Sequence, residues 1–137
     1  MLNKFNVEQE LILKSSLDSL ADLEQFVDNI IDKAGLDEDT AARFQLVMSE
    51  ACTNAIMHGN KMDESKKVFI KSEVMDNKIV VTVEDQGIGF NPDSVPDPLA
   101  TDNLLKTSGR GVYLIRQYAD KVSYSPKGNV LTFSINF

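Results

Sequence analysis

Cysteine is almost missing from these 137 residues: Cys52 stands alone. An internal disulfide and any multi-cysteine metal site are thereby excluded, and a reducing cytoplasm is the compartment this usage suits. Basic residues are also few, 14 Lys and Arg against 21 Asp and Glu, for a net charge of −7. Phosphate backbones and anionic lipid surfaces attract basic faces, so neither nucleic acid nor a membrane is an expected partner. No apolar run reaches membrane-spanning length, and the opening Met1-Leu2-Asn3-Lys4-Phe5 has no signal-peptide core. Internal repeats and low-complexity tracts are absent too. What is present is a hydrophobic share of 42% with 26% charged residues, enough for one core in one domain spanning 1–137.

The periodicity changes along the chain. Glu10–Lys14 reads as a short strand. Leu17, Leu20, Leu23, Val27, Ile30 and Ile31 recur every three or four residues, the spacing of an amphipathic helix that Ser16 or Asp18 caps and Gly35 stops. A second helix is expected from Asp37-Glu38-Asp39 to Gly59, with Phe44, Val47, Met48, Ala51 and Ala55 on its apolar face. Two β-branched runs, Val68–Val74 and Lys78–Glu84, flank Asp76-Asn77 as an antiparallel hairpin. Three of the four prolines fall within 92–98, so a long loop follows and continues to Gly109. A helix from Gly111 to Tyr118 or Ala119 and two strands, Lys121–Tyr124 and Val130–Asn136, complete an α/β sandwich, one sheet covered by helices on one face.

Three constellations carry chemistry. Glu50, Asn54 and His58 are spaced by four on the second helix and share a stripe beside its apolar arc. They offer a carboxylate that accepts a proton and an amide that ligates Mg²⁺; an isolated E-x-x-x-N is otherwise simply a solvated face. Asp85-Gln86-Gly87-Ile88-Gly89-Phe90 closes the most hydrophobic strand. An aspartate there needs a donor, which the exocyclic amine of a purine supplies, and the glycines admit main chain close to a flat ligand. The alternative is ordinary turn chemistry. Ser108-Gly109-Arg110-Gly111-Val112 opens a helix, a ready cradle for phosphate to which Lys106 and Arg110 add charge, or else a plain helix start.

Taken in order, these boxes resemble those of the GHKL ATPases: Glu50…Asn54 the N-box, Asp85-x-Gly87-x-Gly89 the first glycine box, and Gly109-Arg110-Gly111 the second. Within that superfamily the chain is most similar to the short anti-sigma-factor serine/threonine protein kinases of bacterial sporulation and stress control. The resemblance implies a Bergerat-type α+β sandwich, with a mixed, mostly antiparallel sheet and a lid over residues 91–108. It implies ATP and Mg²⁺ as cofactors, Glu50 as general base, Asn54 as Mg²⁺ ligand, and Asp85 as acceptor for the adenine amine. Gly87, Gly89, Gly109, Arg110 and Gly111 shape the adenine and phosphate sites. His58, Phe90, Lys106, Ser108, Val112 and Thr132 are further nucleotide neighbours. Its expected partners are a STAS-domain anti-anti-sigma factor as phosphorylation substrate, a sigma factor, and a second copy of the chain in a homodimer.

Two departures stand out. Some relatives carry an arginine just before the second glycine box, where this chain has Lys106-Thr107-Ser108. A glycine-threonine pair common near the last strands is replaced by Gly128-Asn129. A non-catalytic, ATP-gated protein-binding switch is therefore the alternative reading. The catalytic half of a histidine kinase is not expected, because the only histidine, His58, lies within the nucleotide helix.

Overall fold

Alternation of more and less buried side chains, broken only in β5 at Ser134, builds one antiparallel sheet in the computed structural model, which describes residues 7–89 and 110–137. Strand β1 (Val7–Lys14) pairs with β2 (Lys67–Val74), β2 with β3 (Lys78–Glu84), β3 with β5 (Val130–Asn136), and β5 with β4 (Lys121–Tyr124). The order across the sheet is β1-β2-β3-β5-β4. Every one of these pairings is antiparallel, so the expected mixed character is not found among the described strands. Strand β1 also starts three residues earlier than the apolar run Glu10–Lys14 indicates, because Val7↔Val74 begins its ladder.

One face of the sheet presents Val68, Ile70, Val81, Val83, Leu131, Phe133 and Ile135 to the core. Helix α1 (Leu20–Ala34) brings Leu23, Val27 and Ile30 against them, α2 (Glu38–Asn54) brings Phe44, Val47 and Met48, and α3 (Arg110–Tyr118) brings Ile115. These side chains exclude water together and supply the main driving force for the fold. The opposite face is mainly polar; Val80 and Val130 are partly buried on it, and Ile12 and Phe69 are exposed there as cross-strand neighbours. No helix among the described residues is long and apolar enough to cross a membrane.

The helix ends follow sequence. Ser16 caps a 3₁₀ turn (Leu17–Ser19) that precedes α1, its hydroxyl accepting from the Asp18 amide at 3.2 Å. Gly35 ends α1 in the left-handed conformation at φ 66°. Asp37 caps α2: its Oδ1 accepts from the Thr40 amide at 2.8 Å, and that bond holds the carboxyl below the usual aspartate range. The second helix reaches Gly59 as expected, but Ala55–Gly59 is a π turn, with the Asn60 amide donating to the Ala55 carbonyl five residues back at 2.8 Å. The expected lid at 91–108 lies outside the described residues.

Candidate functional site

The C-terminal end of α2, the end of β3, the start of α3 and the β4–β5 turn converge on one cavity of about 220 Å³. Its walls include Asn54 from the end of α2, His58 and Gly59 from the π turn that follows, Val83, Asp85 and Gly89 from the strand end, and Val112 and Ile115 from α3. Tyr124, Gly128, Asn129 and Leu131 close the remaining side. The lining is mainly apolar with a few polar groups, the composition expected of a small-molecule site.

Asp85 is the carboxylate on that wall, and it is half-buried. Desolvation raises its pKa above the ordinary value, opposed by the Gly87 amide and by the charge of Lys127. The Gly87 N–H donates to Oδ1 at 2.8 Å, whereas Oδ2 has no hydrogen-bond partner among the described residues. The Asp85 backbone is held by Asn129: the Asp85 N–H donates to the Asn129 carbonyl at 2.9 Å, and Asn129 Nδ2 donates to the Asp85 carbonyl at 3.1 Å. A partly desolvated acceptor with one unpartnered oxygen is suited to a ligand N–H.

Glycines make this approach of helix end to strand end possible. A Cβ on Gly59 would overlap the Asp85 carboxylate, and one on Gly87 would overlap the Gly59 carbonyl. Gly89, at φ 86°, packs against the Lys127 carbonyl. Thus Gly89 lines the cavity, while Gly87 is buried beneath it and acts on Asp85 through its amide. At the other side, a Cβ on Gly111 would overlap the Asn54 amide, so α3 begins in direct contact with that side chain.

Glu50 is one helical turn before Asn54 and is not on the cavity wall. Its Oε1 lies 3.8 Å from Arg110 Nη2; the arginine is exposed at 64% and the glutamate at 19%, so this is a loose ion pair solvated on the arginine side. Burial pushes the Tyr124 hydroxyl up to about 12 against the opposing charge of Arg116, whose guanidinium carbon sits 6.0 Å from the ring centroid. Cys52 is fully buried with its thiol raised to about 12, which makes it an inert core side chain.

Asn54, His58, Asp85, Gly89 and Val112 are thus brought together, with Gly87 and Gly111 packed directly behind them. Phe90, Lys106, Ser108 and Gly109 lie outside the described residues. Thr132 is not brought to the cavity. Strand parity puts Leu131 on the cavity wall, so Thr132, one residue on, falls on the opposite face beside Val80 and Ser134. Asn129, beside Gly128 in the β4–β5 turn, is the residue at the cavity. Gly59 and Tyr124 are two more wall residues that sequence reasoning did not single out.

A family model described as the histidine kinase-like ATPase domain matches residues 13–135. The chain belongs to this family. ATP is the ligand that membership implies. Among curated relatives, an anti-sigma F factor from Clostridium perfringens is 42% identical over 83 residues, covering 58% of this chain and 59% of the relative. The serine-protein kinase RsbW of Bacillus subtilis is 30% identical over 99 residues, 68% of this chain and 62% of the relative. The chain therefore spans about three-fifths of the length of these relatives. A crystal structure of the RsbU and RsbW domains of a Mycobacterium tuberculosis protein superposes with a TM-score of 0.62 at 11% identity, over 95% of this chain and 32% of that one. That likeness bears on the fold, an α+β sandwich of the ATPase type.

Proposed function

We propose that the chain is an ATP-binding anti-sigma factor and serine/threonine protein kinase whose substrate is a STAS-domain anti-anti-sigma partner. The observation carrying this reading is that Asp85 and Asn54, from separate boxes, line one cavity, with Glu50 a turn away. The names of the relatives, anti-sigma F factor and serine-protein kinase, supply the class of partner and of reaction. In this reading Asp85 accepts from the adenine amine, the Gly109–Gly111 helix start receives phosphates, and residues 91–108 cover the nucleotide as part of one domain over 1–137. A sigma factor and a second copy of the chain belong to the same proposal.

A Mg²⁺ ion fits the donor chemistry. Among the described residues no cluster of three His, Cys, Asp or Glu exists to cage a metal, while Asn54 places an amide on the cavity wall. Mg²⁺ typically keeps waters and takes one or two protein oxygens together with substrate phosphates, so Asn54 would hold it. Bound there, it would neutralise charge on the phosphates.

The transfer itself asks for position and one base. The partner's hydroxyl oxygen bonds to the terminal phosphorus as the bond to the ADP oxygen breaks, and the hydroxyl proton passes to Glu50. Arg110, loosely paired with Glu50, would turn toward the phosphates in this reading. Glu50→Ala is expected to bind ATP like the parent yet transfer phosphate at least about 10²-fold more slowly to the STAS partner. Transfer at the parental rate removes Glu50 as base.

The second reading, a non-catalytic ATP-gated switch, is favoured by Lys106-Thr107-Ser108 standing where some relatives have an arginine. Intact mass of the partner after incubation with Mg-ATP separates the two. A gain of one phosphoryl group supports the kinase. An unchanged mass, together with nucleotide-dependent affinity, supports the switch.

A further inference from the structure

Asn60 follows the π turn and is completely buried. Both N–H donors and the oxygen of its amide are engaged. Oδ1 accepts from the Gln86 backbone N–H at 2.7 Å, and Nδ2 donates to Ser15 Oγ at 2.8 Å and to the Lys67 carbonyl at 2.9 Å. Ser15 Oγ donates onward to the Lys66 carbonyl at 2.8 Å, and the Lys67 N–H donates to Gln86 Oε1 at 2.7 Å. These partners fix the amide's orientation, because exchanging its oxygen and nitrogen would set two donors against each other at Gln86.

The peptide unit held by Asn60 is the one that follows Asp85. Its N–H belongs to Gln86 and is held by Asn60; its C=O belongs to Asp85 and receives Asn129 Nδ2. Two asparagine side chains therefore grip opposite edges of the same peptide plane. Rotation about the bonds flanking that plane is what would swing the Asp85 carboxylate along the cavity wall. The grip on the N–H side comes from the element that carries Asn54 and His58, so the two halves of the site are tied together at this one buried amide.

We infer that Asn60 is a positioning residue which, through the Asp85–Gln86 peptide, sets the base selectivity of the nucleotide site. This rests on the reading of Asp85 as acceptor for the adenine amine. Where adenine presents an amine, guanine presents a carbonyl oxygen, and a carboxylate held in place rejects it. A carboxylate free to turn aside discriminates less. A purely structural Asn60 would affect stability and leave that discrimination unchanged.

The test titrates ATP and GTP into full-length Asn60→Ala, Ser15→Ala and Asp85→Asn, each at a temperature where circular dichroism shows it folded. The ratio of ATP to GTP affinity is expected to fall about tenfold or more in Asn60→Ala, the scale of losing a site's fixed polar partner. Ser15→Ala breaks the far end of the same network, so it is expected to lower the melting temperature and keep the ratio within about twofold. A parental ratio in Asn60→Ala, or an equal fall in Ser15→Ala, overturns the inference while a fall in Asp85→Asn leaves the adenine reading standing. A parental ratio in Asp85→Asn ends the adenine reading and this inference with it. Should Asn60→Ala not fold, Asn60→Ser, whose hydroxyl is too short for the Gln86 amide, is judged by the same ratios.

Discussion

At Gly59 an added methyl would overlap the Asp85 carboxylate, and Asp85 has nowhere to retreat without leaving its bond from Gly87. Gly59→Ala is therefore expected to keep the core, which lies elsewhere, and to weaken ATP binding by about tenfold or more, read by calorimetric titration. Unchanged affinity would mean that Asp85 is not held by this contact. In sequence, Gly59 reads as the end of a helix, and nothing marks it as the partner of a residue 26 positions later. Asp85 itself was legible, because a carboxylate closing a buried strand demands an explanation. Asn60 was not: one asparagine after a glycine looks like a turn, and only the fold reveals Gln86 and Ser15 at its two ends. Thr132 stands one residue beyond Leu131, and in a strand that single step is the difference between the two faces of the sheet.

Helix α2 carries the site on its last turn and its stability on its first. The Asp37 carboxylate accepts from the Thr40 amide, which holds its folded pKa below 3.8. A depressed carboxylate pKa contributes stability above the unfolded value, and that contribution disappears as pH falls through the folded one. Asp37→Ala should thus melt lower than the parent at neutral pH, with the gap narrowing only below about pH 3.8. A gap that stays constant as pH falls well below 3.8 would contradict the assignment. The three acidic residues at 37–39 made this helix start readable, and the four-residue spacing of Glu50, Asn54 and His58 made its polar stripe readable. The π turn was not readable, since the widened geometry answers to tertiary demands: it delivers Asn60 into the interior beside the β1–β2 and β3 ends.

Across the whole molecule, Arg43 ties three elements at the edge away from the cavity. Its guanidinium donates to the Tyr118 carbonyl at 3.0 Å, the Asn136 carbonyl at 3.2 Å and Asp120 Oδ2 at 3.4 Å, joining α2 to the end of α3 and to β5. Asp120 Oδ2 also accepts from the Asn136 amide at 2.7 Å. Because the group is partly solvated, Arg43→Ala is expected to cost about 1 kcal/mol in urea unfolding with an unchanged m-value. No loss would mean that water replaces these bonds at no cost. The order of strands and helices, and the separation of apolar from polar faces, follow from periodicity alone. The long-range partners of Arg43 do not, because an arginine in a helix has no sequence signature for a carbonyl 75 or 93 residues away.

In the proposed function, a purine nucleotide lies across the boxes in the cavity between α2 and the end of β3. A crystal structure of the full chain grown with Mg-ATP tests it most directly. The expected result is an adenine amine within about 3.2 Å of an Asp85 carboxylate oxygen, with the phosphates at the Asn54 and Arg110 side of the cavity. A nucleotide bound elsewhere, or an adenine that makes no contact with Asp85, would contradict it.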